Sequence, residues 1–194
     1  MDIKRTLLPV VAVVLLVACK PRVKPQPADI ADNAGQGTYF SINQYIKDQW
    51  NTYLGQPYSI IKVTKQNGKT DSVIMNAYTI EWGDIFKRFF ESDIGKPQYI
   101  GHYKFDMFLD ESTDTRNFYY EAIDDTLYTR KLQISAMQEN NKIRSIYIET
   151  EKRSGTRDVI QKLYYSPLSV IQIQEFDALA TGDKNQLFIA YYFM

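Results

Sequence analysis

From Pro97 to Met194 the chain keeps a two-residue hydrophobic period, broken only by short turn-forming pairs, and this limits the fold more than any other feature. Tyr99, Gly101, Tyr103, Phe105, Met107 and Leu109 alternate with a more polar set. Alternation at period two sends successive side chains to opposite faces of a half-buried strand. Further strands are predicted at 117–123, 127–138, 143–152, 156–165, 168–176 and 186–194. Asp124-Asp125, Asn140-Asn141, Ser154-Gly155 and Gly182-Asp183 separate several of them with turn chemistry. Strands joined by so few residues are antiparallel neighbours. Leu187 to Met194 is apolar on both faces, so this strand is expected to be buried on both sides or to close a curved sheet.

Ahead of the meander the period is helical. Ile42, Tyr45, Ile46, Trp50, Tyr53 and Leu54 form one apolar face, Ser41 and Gln44 have capping-box spacing, and Gly55 and Pro57 stop the helix. A hairpin is predicted from 58–65 and 70–79 around Asn67-Gly68, two residues that tolerate positive φ. A second helix is expected over 80–94, with Thr79 as its cap. It carries Trp82, Ile85, Phe86, Phe89 and Phe90 on one stripe and ends at Gly95 and Pro97. The expected fold class is α+β: two helices packed on a strongly twisted antiparallel sheet of seven to nine strands, curling toward a half-barrel.

The N-terminus reads as an address. Lys4 and Arg5 precede an almost wholly apolar run from Thr6 to Ala18. That run falls short of the roughly 17–25 residues of a membrane-spanning helix and fits a signal peptide. Leu16-Val17-Ala18-Cys19 resembles the lipobox of bacterial lipoproteins. The resemblance implies cleavage between Ala18 and Cys19, acylation of the Cys19 sulfur and amino group, and a thiol unavailable for catalysis. Residues 1–18 are then a leader and 19–38 a tether stiffened by Pro21, Pro25 and Pro27 and loosened by Gly35 and Gly37. Lys20, Arg22 and Lys24 stand beside the expected membrane surface, as a contact for anionic head groups or as a solvated linker. Lys20 is not the acidic residue that marks inner-membrane retention in some bacteria. The implied location is an outer-membrane anchor facing the periplasm. Residues 39–194 form a single domain, whose overall character resembles small Bacteroidota-type outer-membrane lipoproteins. Its architecture is similar to periplasmic lipoprotein carriers and envelope-assembly lipoproteins.

Little of the sequence points to chemistry. The chain has 23 Lys+Arg and 23 Asp+Glu, which argues against a nucleic-acid partner. One Cys and one His leave no intramolecular disulfide and no common multi-histidine metal site, and no cofactor is expected. There is no glycine-rich phosphate loop of the usual spacing, no nucleophile elbow and no paired-histidine zinc helix. His102 is the only histidine available to a triad and is expected on a polar strand face beside Lys104 and Asp106. Asp110-Glu111-Ser112-Thr113-Asp114 lacks the central Gly and terminal Glu of a calcium loop and reads as a solvated hairpin. Glu121 and Asp124 are candidates for a carboxylate pair, without anything that singles them out.

Tyrosine is the unusual resource, with 15 in the chain. Tyr119, Tyr120, Tyr147, Tyr164 and Tyr165 fall on predicted strands, each adjacent pair placing one ring on each face. Exposed Tyr offers rigid contact area to a sugar or protein partner, whereas cross-strand aromatic pairs simply stabilise a sheet. The expectation is a non-enzymatic, membrane-anchored lipoprotein. It would bind an envelope protein or a small apolar or glycan ligand on a curved aromatic-rich sheet. The rival is a carboxylate-based hydrolase acting on an envelope polymer, with two facing acids, one of raised pKa.

Overall fold

The computed structural model describes residues 38–53 and 55–194; the expected leader, Cys19, the tether as far as residue 37, and Leu54 lie outside them. Helix α1 (Ile42–Tyr53) buries Ile42 and Ile46 and leaves its polar side to solvent. The strands that follow are β1 (Ser59–Gln66) and β2 (Lys69–Asn76), joined through Asn67 and Gly68 at φ 48° and 78°, the positive pair that the expected turn needs. Helix α2 (Trp82–Glu91) buries Trp82, Ile85, Phe86 and Phe89. Then come β3 (Tyr103–Asp110), β4 (Thr115–Ala122), β5 (Thr129–Met137), β6 (Ile143–Ser154), β7 (Arg157–Ser166), β8 (Val170–Leu179) and β9 (Lys184–Phe193).

All nine strands form one antiparallel sheet in the order β2-β1-β9-β8-β7-β6-β5-β4-β3. The sheet is open, with β2 and β3 as its edges. From β3 to β9 it is a plain meander. The hairpin β1–β2 is attached to β9, with Ile60 opposite Phe193 and Gln66 opposite Leu187. The chain therefore leaves one edge at β2 and resumes at the opposite edge with β3. The crossing segment contains α2, which lies over one face of the sheet. That face supplies Tyr120, Ile134, Ile146, Leu163, Ile173 and their neighbours to a continuous core with both helices. β9 is an interior strand between β8 and β1, not one buried on both faces: only Ala190 and Tyr191 are buried, and its first three residues are exposed. The apolar composition that suggested double burial serves two paired edges and one covered face.

Several local expectations are replaced by tertiary contacts. Residues 77–79, expected as the end of β2, form a 3-10 turn in which the Thr79 hydroxyl donates to the Asn76 carbonyl. Thr79 therefore does not cap α2, whose N-cap position is Glu81. The second 3-10 turn, Pro97–Tyr99, and Gly101 at φ 83° delay β3 until Tyr103. Only half of the expected capping box forms: the Gln44 amide donates to Ser41 Oγ at 3.2 Å, while the Gln44 side chain turns forward to Asp48. The next amide of the helix start is taken instead by Asp93, which lies just past α2 and is 4% exposed. One Asp93 carboxylate oxygen accepts from the Ile42 and Gly95 amides, and the other accepts from Ser41 Oγ, each at 3.0 Å. A carboxylate at a helix N-terminus satisfies orphan amides and complements the helix dipole. Gly95 permits the approach, since a Cβ there would stand 2.6 Å from Ser41 Cα.

Asp93→Ala is expected to destabilise the fold by roughly 2–4 kcal/mol by leaving buried amides unpaired. Gly95→Ala is expected to be similarly harmful by forcing α1 and the Asp93 loop apart. Urea denaturation of each variant checks both; wild-type stability in either removes this junction from the account.

A second prediction concerns alkali. Burial pushes the Tyr120 phenol up to about 12, only partly opposed by a backbone hydrogen bond from Phe40. Burial pushes Tyr103 up as well, reinforced by Tyr99 and partly offset by Arg130 and by its hydrogen bond to Thr129. Folded values above the ordinary Tyr value of about 10 mean that these phenols favour the fold fully below that pH. The Tyr120 contribution is lost as pH rises through about 12. Stability measured against pH should fall on this alkaline limb, and Tyr120→Phe should flatten the fall.

Candidate functional site

The aromatic side chains concentrate at one end of the helix–sheet interface, where both helices, two loops and the ends of β7 and β9 meet. They enclose a cavity of about 310 Å³. Ile46 and Trp50 come from α1, and Ile80, Glu81, Trp82 and Phe86 from the start of α2. Tyr58, Ala77 and Tyr78 come from segments flanking the hairpin, Tyr165 and Phe193 from the sheet, and Leu168 from the β7–β8 turn. The helical residues are placed by a local rule. Trp82 and Phe86 are one helical turn apart, and Ile46 and Trp50 likewise, so each pair faces the same way. Trp50 and Trp82 approach to 4.7 Å between centroids, and Trp82 continues to Phe86 at 6.0 Å and Phe193 at 5.9 Å.

Two polar groups of this wall are engaged. The Trp82 indole N–H donates to the Ala77 carbonyl at 3.0 Å, and the Tyr78 hydroxyl donates to the Gly55 carbonyl at 2.7 Å. The second bond ties the 3-10 turn to the loop after α1. The cavity presents ring faces and aliphatic carbon, with one carboxylate, Glu81, and one side-chain amide, Gln56, among its lining residues. Concave, mostly apolar sites with a few polar groups are the usual form of small-molecule sites. Leu168, in the β7–β8 turn, is held at φ 52° and is 39% exposed. The left-handed region is uncommon for a branched apolar residue. Here it keeps the Leu168 side chain against the cavity.

The five tyrosines singled out in the sequence separate into two groups. Tyr120 and Tyr165 are 2% and 3% exposed, so they belong to the core and offer no partner surface. Tyr165 packs edge-on to Phe86 and borders the cavity. Tyr119, Tyr147 and Tyr164 lie on the other face of the sheet. There the register runs Tyr119↔Gln133↔Tyr147↔Tyr164 across β4 to β7. These three are half-buried. The Tyr147 hydroxyl donates to Glu149 at 2.6 Å, and burial together with that carboxylate pushes its phenol up. Beside this row lies a charge ladder, Lys104↔Glu121↔Lys131↔Glu149↔Lys162. Opposed charges across strands stabilise a solvated face.

The remaining candidates are dispersed. His102 precedes β3 rather than sitting on its polar face. Its carbonyl accepts from the Ile123 amide, continuing the β3–β4 pairing, and its charge acts weakly on Asp124. Asp110 accepts from the Ser112 amide and hydroxyl and the Thr113 hydroxyl, which holds its carboxyl below the usual range. Asp124 is likewise held down by Thr126. Glu121 lies in the charge ladder, so Glu121 and Asp124 are not a facing pair. Asp177, paired bidentately with Arg157, is also pushed down, the opposite of what a general acid needs. Among the described residues no group of three His, Cys, Asp or Glu is placed to hold a metal ion, and no helix is long and apolar enough to cross a membrane. Sequence reasoning missed the cavity as a site, although it placed Trp82, Phe86 and Trp50 on apolar helix faces. The joining residues, Ala77, Tyr78 and Leu168, carry no local signal. Compared with family models, curated proteins and solved structures, the chain gave no match.

Because Leu168 sits in a region that glycine enters freely, Leu168→Gly is expected to leave unfolding free energy within about 1 kcal/mol of wild type. An ordinary half-buried Leu→Gly change would lose more. Denaturation curves decide, and a loss above about 3 kcal/mol would show that its side chain, not its backbone, dominates.

Proposed function

We propose that this chain is a membrane-anchored bacterial lipoprotein that binds a small, uncharged apolar molecule in the aromatic cavity between its helices and sheet. The observation that carries the reading is the cavity itself: about 310 Å³, walled by Trp50, Tyr58, Trp82, Phe86 and Phe193. That volume lies at the lower end of the ~300–1,000 Å³ range of small-molecule sites. It suits one or two rings or a short chain, not a two-chain lipid. The half-barrel curl of the sheet belongs to the same proposal, since a curled sheet brings the ends of β7 and β9 round to the helices. Residues 1–18 serve as the signal, Cys19 carries the acyl chains, and residues 19–38 hold the domain clear of the lipid. In this reading the domain is non-enzymatic and faces the periplasm from the outer membrane. Two or more acyl chains give firm anchoring where one gives only marginal binding.

Trp50 and Trp82 are the only two tryptophans of the chain and both line the cavity, so their emission reports its occupancy. Cyclohexanol and n-octanol do not absorb where tryptophan does. Titration of the full protein with either should change the emission saturably, and Ala77→Leu, which fills part of the space, should weaken the change at least about tenfold. A linear or absent response to both alcohols defeats the ligand reading. Anchoring is checked separately: Cys19→Ser should abolish labelling by palmitate and leave the precursor uncut. Unchanged labelling and fractionation would remove the anchor.

A further inference from the structure

Among the described residues no strand pairs with the outer edge of β3, and this edge carries the chemistry for pairing with itself. The His102 carbonyl accepts from the Ile123 amide at 3.0 Å, which fixes the pattern beside the register Lys104↔Glu121 and Asp106↔Tyr119. Even-numbered residues of β3 turn their backbone groups to β4. Odd-numbered residues, Phe105, Met107 and Leu109, turn theirs outward. The side chains of these three are 41%, 46% and 55% exposed, and Phe108 on the opposite face is 48% exposed. Natural sheets blunt or cover apolar edges of this kind.

Two observations give a second copy of this strand a single complementary register. Tyr103 is already covered, because the Tyr39 hydroxyl donates to its carbonyl at 3.1 Å and lies 3.3 Å from its amide, which donates to it. An added strand must therefore use the edge beyond Tyr103. The charges of the strand then choose among antiparallel self-pairings. A two-fold axis at Lys104 or Asp106 sets like charges against themselves, and one at Phe108 opposes Asp106 to Asp110. An axis at Phe105 needs the Tyr103 edge that Tyr39 holds. An axis at Met107 opposes Phe105 to Leu109 on the helix side and Lys104 to Asp110, twice, on the other. We propose that two copies of this chain join through β3, antiparallel about a two-fold axis at Met107, extending the sheet across both. In the single chain the Asp106 carboxylate accepts from the Met107 amide at 2.8 Å, and it must swing aside for the pair to form.

The test uses the full chain in detergent. Met107→Cys places two thiols across the axis at about 5.5 Å between Cα atoms, within disulfide reach. Mild oxidation should link it into dimers, while Ile74→Cys, on the exposed opposite edge, should stay single. Lys104→Glu should weaken the dimer at least about tenfold by light scattering with unchanged circular dichroism, and Lys104→Arg should preserve it. A monomeric wild type, equal linkage at residue 74, or a dimer indifferent to Lys104→Glu overturns the proposal.

Discussion

The carboxylate of Asp93 connects the two halves of the helical layer. It is buried, it accepts from two backbone amides and a hydroxyl, and two of those donors begin α1 while it follows α2 itself. A buried carboxylate is tolerated only where hydrogen bonds replace its water. Here the Ile42 donor and the Asp93 acceptor are 51 positions apart, so the bond ties the start of α1 to the end of α2. Gly95 completes the junction by leaving room for Ser41. With α1 held in this way, Ile42 and Ile46 meet the sheet and Trp50 meets Trp82.

Topology explains why aromatic residues gather where they do. The hairpin β1–β2 and the strand β3 stand at opposite sides of one sheet, and the chain between them must cross its face. The crossing buries the Trp82–Phe86–Phe89 stripe over the meander. It begins beside β9 and the end of β7, where no element fills the corner completely. The cavity lies between the two helices, the turns beside them and the ends of β7 and β9. Its lining comes from residues selected first for packing, and its stability and any binding capacity therefore share the same rings.

The two sheet faces show how far pattern reading reaches. Alternation correctly assigned one ring of each Tyr pair to each face, and the register then decided which. Tyr120 and Tyr165 went inward under the helices, and Tyr119, Tyr147 and Tyr164 outward beside the charge ladder. A shift of one residue would exchange the two sets. The cap of α1 was half legible: Ser41 and Gln44 have the right spacing, but Gln44 binds Asp48 and the completing group is distant. The cavity was illegible because Ala77, Tyr78 and Leu168 lie on turns whose positions depend on where β2 and β7 stop.

The sequence alone determined the elements. Period two with short turns makes an antiparallel meander, period 3.6 with terminal glycine and proline makes two helices, and Asn67-Gly68 makes the hairpin, because each depends on contacts within a few residues. It also carries the lipobox resemblance at Leu16–Cys19, which rests on local composition. Only the tertiary structure decided that β1 pairs with β9, that Asp93 caps α1, and that the helices and the ends of β7 and β9 enclose a cavity. Those are contacts between residues far apart in the chain. They are fixed by which faces must be buried together, a competition that no local window of sequence contains.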